Sequence, residues 1–287
     1  MLELSLVTTE KATNKVDKGE RGIYDKRNRL NDLTGKEWLS LSASVWSSKT
    51  EMDKIGKQHP APFSHNDIEK LISLFTKKNM TVLDPMAGVA STLIACGNLK
   101  RKGIGIDLNK DYVDLSKKRL KEFNITGQKL IVGNALKKIK TVGKIDYCVT
   151  SPPYHNILRK KGDGVRHDGS QSRQGVDYYS EKKNDLGNQE SYDDYLHFLK
   201  EMMKEVYDRL RDAKYCSIVI SDFTIDKKET DVSGDIIKLM QEINFIFKGK
   251  IILNQNQKSI YPFGYPYDYV INHTNQFILN FKKPKKD

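Results

Sequence analysis

The sequence predicts an α/β fold, an open and mostly parallel sheet with helices on both faces, and three features of the chain carry that expectation. Short apolar runs at 80–84, 103–107, 130–134 and 145–149 alternate with longer stretches of helical periodicity. Each run stops at a polar residue: Asp84, Asp107, Asn134 and, just past the last, Ser151. The first run leads directly into a loop of small residues, Ala87-Gly88-Val89-Ala90-Ser91, which then opens a helix. Ligands of such sheets bind beyond the carboxyl ends of the strands, where these polar residues fall.

Residues 1–57 are polar and weakly periodic, with Trp38, Leu39, Leu41, Val45 and Trp46 as anchors, and form an arm on a catalytic domain spanning 58–287. His59-Pro60-Ala61-Pro62-Phe63 cannot continue a helix, so Ser64 or Asn66 caps a helix over 66–77, striped by Ile68, Leu71, Ile72, Leu74 and Phe75. The strand 80–84, a helix over 93–99, the strand 103–107, a helix over 110–123 and the strand 130–134 complete the parallel half. Beyond an insertion at about 155–190 come an amphipathic helix over 192–210, a strand at 215–221, part of a helix at 236–243, and closing strands at 245–253 and 270–281, with an antiparallel closing strand expected. The loop Tyr261-Pro262-Phe263-Gly264-Tyr265-Pro266-Tyr267 suits either stacking on bases or closing a hydrophobic cluster of its own.

The 287 residues suffice for one large core, and a net charge of +12 favours a polyanionic partner, because basic side chains displace the counterions condensed on nucleic acid. Cys96, Cys148 and Cys216 each lie in an apolar run and behave as small buried hydrophobes, which excludes a disulfide framework. His59, His65 and His197 lack partners at metal-ligand spacing, so no metal is expected. No apolar run reaches the roughly 18 residues of a membrane span, and residues 1–21 have no signal-peptide core, so an intracellular, cytoplasmic protein is expected.

The chemistry of the strand ends follows from residue type. The small residues after Asp84 let a ligand approach the backbone, and amides at a helix start can meet its polar groups. Asp107, twenty-three residues on and ending the second strand, is placed to accept ribose hydroxyls. G-x-G-x-x-G is absent from the first turn and the P-loop pattern from the whole chain, which favours a nucleoside without a pyrophosphate. At Thr150-Ser151-Pro152-Pro153-Tyr154 two prolines remove backbone donors and leave carbonyl acceptors, while Tyr154 offers a flat face. Such a pocket suits a heterocycle with an exocyclic amino group.

These motifs resemble the amino-methylating DNA methyltransferases, which use S-adenosyl-L-methionine. Asp84 to Thr92 looks like their cofactor loop, His59 to Phe63 like the segment before it, Asp107 like the ribose-binding acid, and Ser151 to Tyr154 like the catalytic S/D/N-P-P-Y/F. Met86 stands where an aromatic residue is usual, Val89-Ala90 where Ser-Gly is, and Asn134 where an acid is. The resemblance implies a Rossmann-like class I methyltransferase with a seven-stranded sheet. It assigns catalysis to Ser151, Pro152, Pro153 and Tyr154, and cofactor binding to Pro60, Phe63, Asp84, Met86, Ala87, Gly88, Ala90, Ser91, Thr92, Asp107, Leu108, Asn134 and Ala135.

Serine at the first catalytic position is commoner with cytosine N4 among such enzymes, which makes N4 the expected target and adenine N6 the alternative. An RNA or protein-amide methyltransferase, or a nucleic-acid-binding protein with a dead pocket, are the remaining readings. In the basic insertion, Arg159, Lys160 and Lys161 are expected to meet phosphates and Arg166, Gln171 and Arg173 to reach base edges of double-stranded DNA. A homodimer and a cognate restriction endonuclease of a restriction-modification system are further partners that the resemblance allows.

Overall fold

Successive residues of the central strands bury on opposite sides of one eight-stranded sheet, as the period of two requires. Val82, Tyr147, Val149, Val219 and Ile278 enter one apolar cluster, while Leu83, Cys148, Ile218, Ile220 and Leu279 enter the other. This computed structural model describes residues 14–48, 53–59, 63–155, 185–225, 228–255 and 258–286.

The arm begins with a hairpin of β1 (Lys15–Asp17) and β2 (Ile23–Asp25). Helix α1 (Gly35–Leu41) starts at a capping box, in which Glu37 N donates to Thr34 Oγ1 at 3.3 Å and Thr34 N donates to Glu37 Oε2 at 2.9 Å. Strand β3 (Val45–Ser47) follows. Helix α2 (His65–Phe75) starts just after Ser64 and stops short of the expected residue 77, because Thr76 is extended and spends its hydroxyl on the carbonyl of Ile72.

The parallel half then runs β4 (Thr81–Asp84), α3 (Ser91–Asn98), β5 (Lys102–Asp107), α4 (Lys110–Glu122), β6 (Lys129–Val132), α5 (Ala135–Lys138) and β7 (Ile145–Thr150). Helix α6 (Tyr192–Arg209) gives way directly to β8 (Leu210–Ile220), which starts earlier than the expected 215 because Leu210 already pairs with Ile145. A small hairpin, β9 (Phe223–Ile225) with β10 (Lys228–Thr230), precedes α7 (Val232–Glu242), whose start is fixed by Asp231 accepting Gly234 N at 2.8 Å. Strands β11 (Ile246–Asn254) and β12 (Asn275–Lys282) close the sheet.

The strand order is β3-β11-β12-β8-β7-β4-β5-β6, and only β12 runs against its neighbours. Seven strands match the expectation. The eighth is β3, which pairs parallel to β11 with Val45 opposite Ile252 and buries Trp46 in the core. Trp38, by contrast, is exposed. The last strand begins at Asn275 rather than 270, because Asn272 is engaged with Tyr261 across the connecting loop through bonds of 2.8 and 3.0 Å.

One face is covered by α5, α6 and α7, the other by α2 and α3. The three cysteines are buried and unpaired. Among the described residues no helix is long and apolar enough to cross a membrane. The chain builds outward from β4 to β6 and then returns to place β7 against the other side of β4, so the strand order reverses between β4 and β7. A crevice opens at such a reversal, outside the carboxyl ends of the two strands.

A polar chain crosses the middle of the sheet. Tyr147 Oη donates to Ser217 Oγ at 2.7 Å, which donates to Asn280 Oδ1 at 2.7 Å, all buried and linking β7, β8 and β12. Ser217→Ala would leave both neighbours buried without a partner, a loss of about 1–3 kcal/mol. Urea unfolding should show a lower midpoint at an unchanged m value.

Candidate functional site

The loop after β4 is closed on itself by a buried carboxylate. Asp84 accepts Met86 N at 3.1 Å and the Thr92 hydroxyl at 2.5 Å, joining the loop's two ends, and burial pushes its carboxyl up to about 6. Between those ends the backbone turns left-handed at Gly88, with φ of +48°, and at Ala90, with φ of +65°. Ala90 bears a cost of about 1–2 kcal/mol for this conformation. Neighbouring contacts hold it there.

Those contacts come from α4. Ser116 Oγ donates to the carbonyl of Gly88 at 2.9 Å, and Arg119 Nη1 donates to the carbonyl of Val89 at 2.9 Å and to Ser91 Oγ at 2.8 Å. The remaining guanidinium nitrogens meet Asp53 of the arm, Nε at 3.0 Å and Nη2 at 2.7 Å. Arg119 is wholly buried. A side chain inside a Lys-Lys-Arg-Leu-Lys stretch thus fixes the loop from beneath.

Asp107 at the end of β5 accepts Gly88 N at 2.8 Å on Oδ2 and Asn109 N at 2.8 Å on Oδ1. Burial pushes its carboxyl up to about 7 against those two bonds, and the charges of Asp84 and Asp185 add to the rise. After β6, Gly133 N donates to the carbonyl of Asp107 at 2.8 Å, and Asn134 follows with its side-chain oxygen buried and unpaired. After β7 come Ser151 to Tyr154. Tyr154 Oη accepts Gln276 Nε2 at 2.9 Å, Gln276 Oε1 accepts Gln255 Nε2 at 3.0 Å, and the Tyr154 ring meets Phe223 edge-on at 5.8 Å.

One cavity of about 330 Å³ runs along these strand ends. It is lined by Phe63, Met86, Gly88, Asp107, Leu108, Asn134 and Ala135 and, further along, by Ser151, Pro152, Pro153 and Tyr154. A smaller hollow of about 50 Å³ beside it is lined by Asp84, Ala87, Ser91 and Thr92 and shares Met86, Gly88 and Ser151. Ala90 lies fully buried against α3 and α4, within the turn between these walls. Pro60 and the candidate DNA residues Arg159, Lys160, Lys161, Arg166, Gln171 and Arg173 lie outside the described residues.

Sequence reasoning did not find His59, Tyr112, Asp185, Leu186, Gln255 and Gln276 as walls of the same cavity. His59 packs its ring 4.8 Å from that of Tyr112, and a Cβ at Gly88 would come within 3.0 Å of its Nε2. The His-Pro-x-Pro pattern in the sequence at 59–62 was the available signal. Asp222, just after β8, accepts Ser233 N at 2.8 Å in the first turn of α7. Among the described residues no cluster of His, Cys, Asp or Glu could hold a metal ion.

A family model described as DNA methylase matches residues 4–118 and 145–287. The chain belongs to the DNA methylase family. The family takes its methyl group from S-adenosyl-L-methionine. Among curated relatives, the chain is 33% identical over 106 residues to the type II methyltransferase M2.LlaDCHI of Lactococcus lactis subsp. cremoris, and 38% identical over 85 residues to the type II methyltransferase M.HpaI of Haemophilus parainfluenzae. Those stretches cover 37% and 29% of this chain but 39% and 27% of the two relatives, so the chain spans well under half of their lengths. It also superposes on the precorrin-6y C5,15-methyltransferase of Geobacter metallireducens with a TM-score of 0.47 and 13% identity, covering 76% of this chain and 87% of that one.

The pair of half-buried Asp53 and buried Arg119 gives a direct test of how the arm supports the loop. Asp53→Ala would strand a buried guanidinium, at a cost of about 3–5 kcal/mol. Asp53→Asn, which keeps one acceptor, should cost less. Chemical denaturation of both variants checks the order.

Proposed function

We propose that this protein is a site-specific DNA methyltransferase that moves the methyl group of S-adenosyl-L-methionine to the exocyclic N4 of cytosine in a base turned out of the duplex. The observation that carries this reading is the single cavity in which Asp107 and Asn134 share one space with Ser151 to Tyr154. A nucleoside site and a donor-free aromatic pocket open into each other, as a group transfer between two heterocycles requires.

The residues present fit the cofactor. Asn134 Oδ1 is a buried acceptor without a partner, suited to the adenine amine, and Gly88 leaves the loop free of a side chain where it borders the cavity. Each Asp107 oxygen takes one backbone amide and retains a lone pair for a ribose hydroxyl. Phe63, Met86, Leu108 and Ala135 supply apolar walls. Asp84 and Thr92 act one step removed, by holding the loop closed. When bound, S-adenosyl-L-methionine supplies a methyl group on a positively charged sulfur.

At the other end the chain's own atoms prepare the nucleophile. Ser151 Oγ and the carbonyl of Pro152 accept the two amine hydrogens, which draws the nitrogen lone pair out of conjugation with the ring and points it at the methyl group. Pro152 and Pro153 contribute no N–H that could compete for that lone pair. Tyr154 stacks on the base, its hydroxyl tied to Gln276 so that the ring cannot rotate away. Ser151 is only half-buried, which leaves the amine proton a route to water. Catalysis is positioning and electrostatics, with no covalent enzyme intermediate.

Cytosine N4 is favoured over adenine N6 because position 151 is a neutral serine rather than an acid or amide. The basic side chains Arg159, Lys160 and Lys161 are proposed to hold phosphates, and Arg166, Gln171 and Arg173 to read bases. Residues 1–57 are proposed as an arm supporting the catalytic domain of 58–287.

Incubation with labelled cofactor and unmethylated DNA, followed by digestion to nucleosides, should yield N4-methylcytosine; N6-methyladenine would reassign the base. Ser151→Ala and Tyr154→Ala should each lower kcat about 100-fold or more with cofactor affinity retained, whereas Tyr154→Phe should keep most activity.

Cofactor affinity should also depend on pH. The raised carboxyl of Asp107, at about 7 in the free protein, must ionise to accept ribose hydroxyls fully. Binding therefore favours the deprotonated form, and Kd should rise by up to about tenfold per pH unit as pH falls below 7. Asp107→Asn should bind more weakly at pH 8 and lose that slope, as calorimetry can measure.

A further inference from the structure

The described part of the β11–β12 connection, residues 258–274, is the most aromatic exposed surface among the described residues. Tyr265, Tyr267 and Tyr269 are 80, 94 and 83% exposed, with Phe263 and Ile260 also in solvent. These rings do not close a cluster of their own, since the one ring contact recorded within the segment is Tyr261 with Phe263 at 5.6 Å. The backbone beneath them is nevertheless built. Tyr267 N and Asp268 N both donate to the carbonyl of Gly264, at 2.7 and 2.8 Å, and Asn272 bridges both backbone polar groups of Tyr261.

The reversal of β12 fixes where this loop lies. β11 runs parallel to the site-bearing strands, so it ends at the same edge of the sheet, and β12 starts back from that edge. Gln255 before the loop and Gln276 after it both line the cavity, Gln276 is bonded to Tyr154, and Lys258 at the loop's start lines the cavity as well. The two ends of the loop therefore stand at the rim of the Ser151–Tyr154 pocket, and the rings project from the segment between them.

We infer that this loop is a nucleic-acid surface whose tyrosines stack on the DNA bases left unstacked beside the turned-out nucleotide. The inference rests on the DNA methyltransferase reading above. A base leaving a duplex exposes the faces of its neighbours, and aromatic rings stack on any base because every base has a π-face. The loop's charge is nearly balanced: Lys258 and His273 stand against Asp268, whose carboxylate accepts Tyr269 N at 2.8 Å. Phosphate contacts elsewhere on this chain of net charge +12 would supply the electrostatic attraction, and the loop would supply contacts that salt does not screen.

The test uses the full chain with Tyr265, Tyr267 and Tyr269 all changed to alanine, and a second variant with all three changed to phenylalanine. Each is titrated with a fluorescein-labelled mixed-sequence duplex and with its single strand at several NaCl concentrations. S-adenosyl-L-homocysteine binding serves as the folding control. The alanine variant should bind DNA about 10- to 100-fold more weakly at every salt concentration with an unchanged slope of log Kd against log salt, while the phenylalanine variant binds like wild type. Wild-type DNA affinity in the alanine variant, or a reduced salt slope in it, would overturn the inference. In the first case, a shift from dimer to monomer in sedimentation velocity would assign the surface to a second copy of the chain. Failure of the wild-type protein itself to bind either DNA while it binds S-adenosyl-L-homocysteine would overturn the DNA reading and this inference together.

Discussion

The hydrogen bond from Gly88 N to Asp107 Oδ2, 2.8 Å long, is the contact on which the site depends. It joins the loop that ends β4 to the last residue of β5, so two strand ends and a left-handed turn become one rigid unit. Gly88 makes this bond from a positive φ, and Ala90 follows in the left-handed region as well. Ser116 and Arg119 hold the carbonyls of that turn, and Asp84 clasps its two ends. Remove any of these and the amide of Gly88 has no reason to face Asp107.

This arrangement concentrates charge in a dry place. Burial raises the carboxyls of both Asp84 and Asp107, and the charge of Asp84 adds to the rise at Asp107, while the buried cation Arg119 is already occupied by Asp53 and the loop. A carboxyl raised to about 7 is a poor contributor to stability, yet each of its oxygens keeps a lone pair beyond its one amide for a hydroxyl group that arrives with a ligand. The same burial thus weakens the empty fold and ties occupancy to ionisation of Asp107. Asn134, which would have added a third acid, contributes an uncharged acceptor and spares the cavity further repulsion.

The strand ends were legible because a polar residue closing an apolar run has few explanations other than a site. Asp84, Asp107, Asn134 and Ser151 all sit along the cavity or its adjoining hollow for that reason. Arg119 was not legible: among neighbouring lysines, a cation at helical spacing looks solvated, and only the fold turns it inward toward Asp53, sixty-six positions earlier. Gln276 is likewise 122 positions from Tyr154, and its role exists only because β12 inserts between β8 and β11. Strand β3 escaped notice because three residues carry too little alternation to announce an edge strand. The left-handed turn at Ala90 was not legible either, since smallness in a loop looks like room for a ligand, whereas the fold also packs this residue against α3 and α4.

The two ends of the cavity achieve precision by opposite means. Near Asp107 the walls are fixed by backbone amides given to carboxylates, so the positions of acceptors are set by the strands themselves. Near Tyr154 the prolines remove amides, and the ring is held by a relay of side chains from Gln255 through Gln276. That relay originates on the two strands that bear the exposed tyrosine loop, so whatever bends the loop also bears on the ring beneath it. In an antiparallel closing strand, a fold otherwise built of parallel strands thus finds a hairpin that can reach over its own carboxyl edge. A parallel strand in that place would have put its connection at the opposite edge, with nothing to cover the pocket.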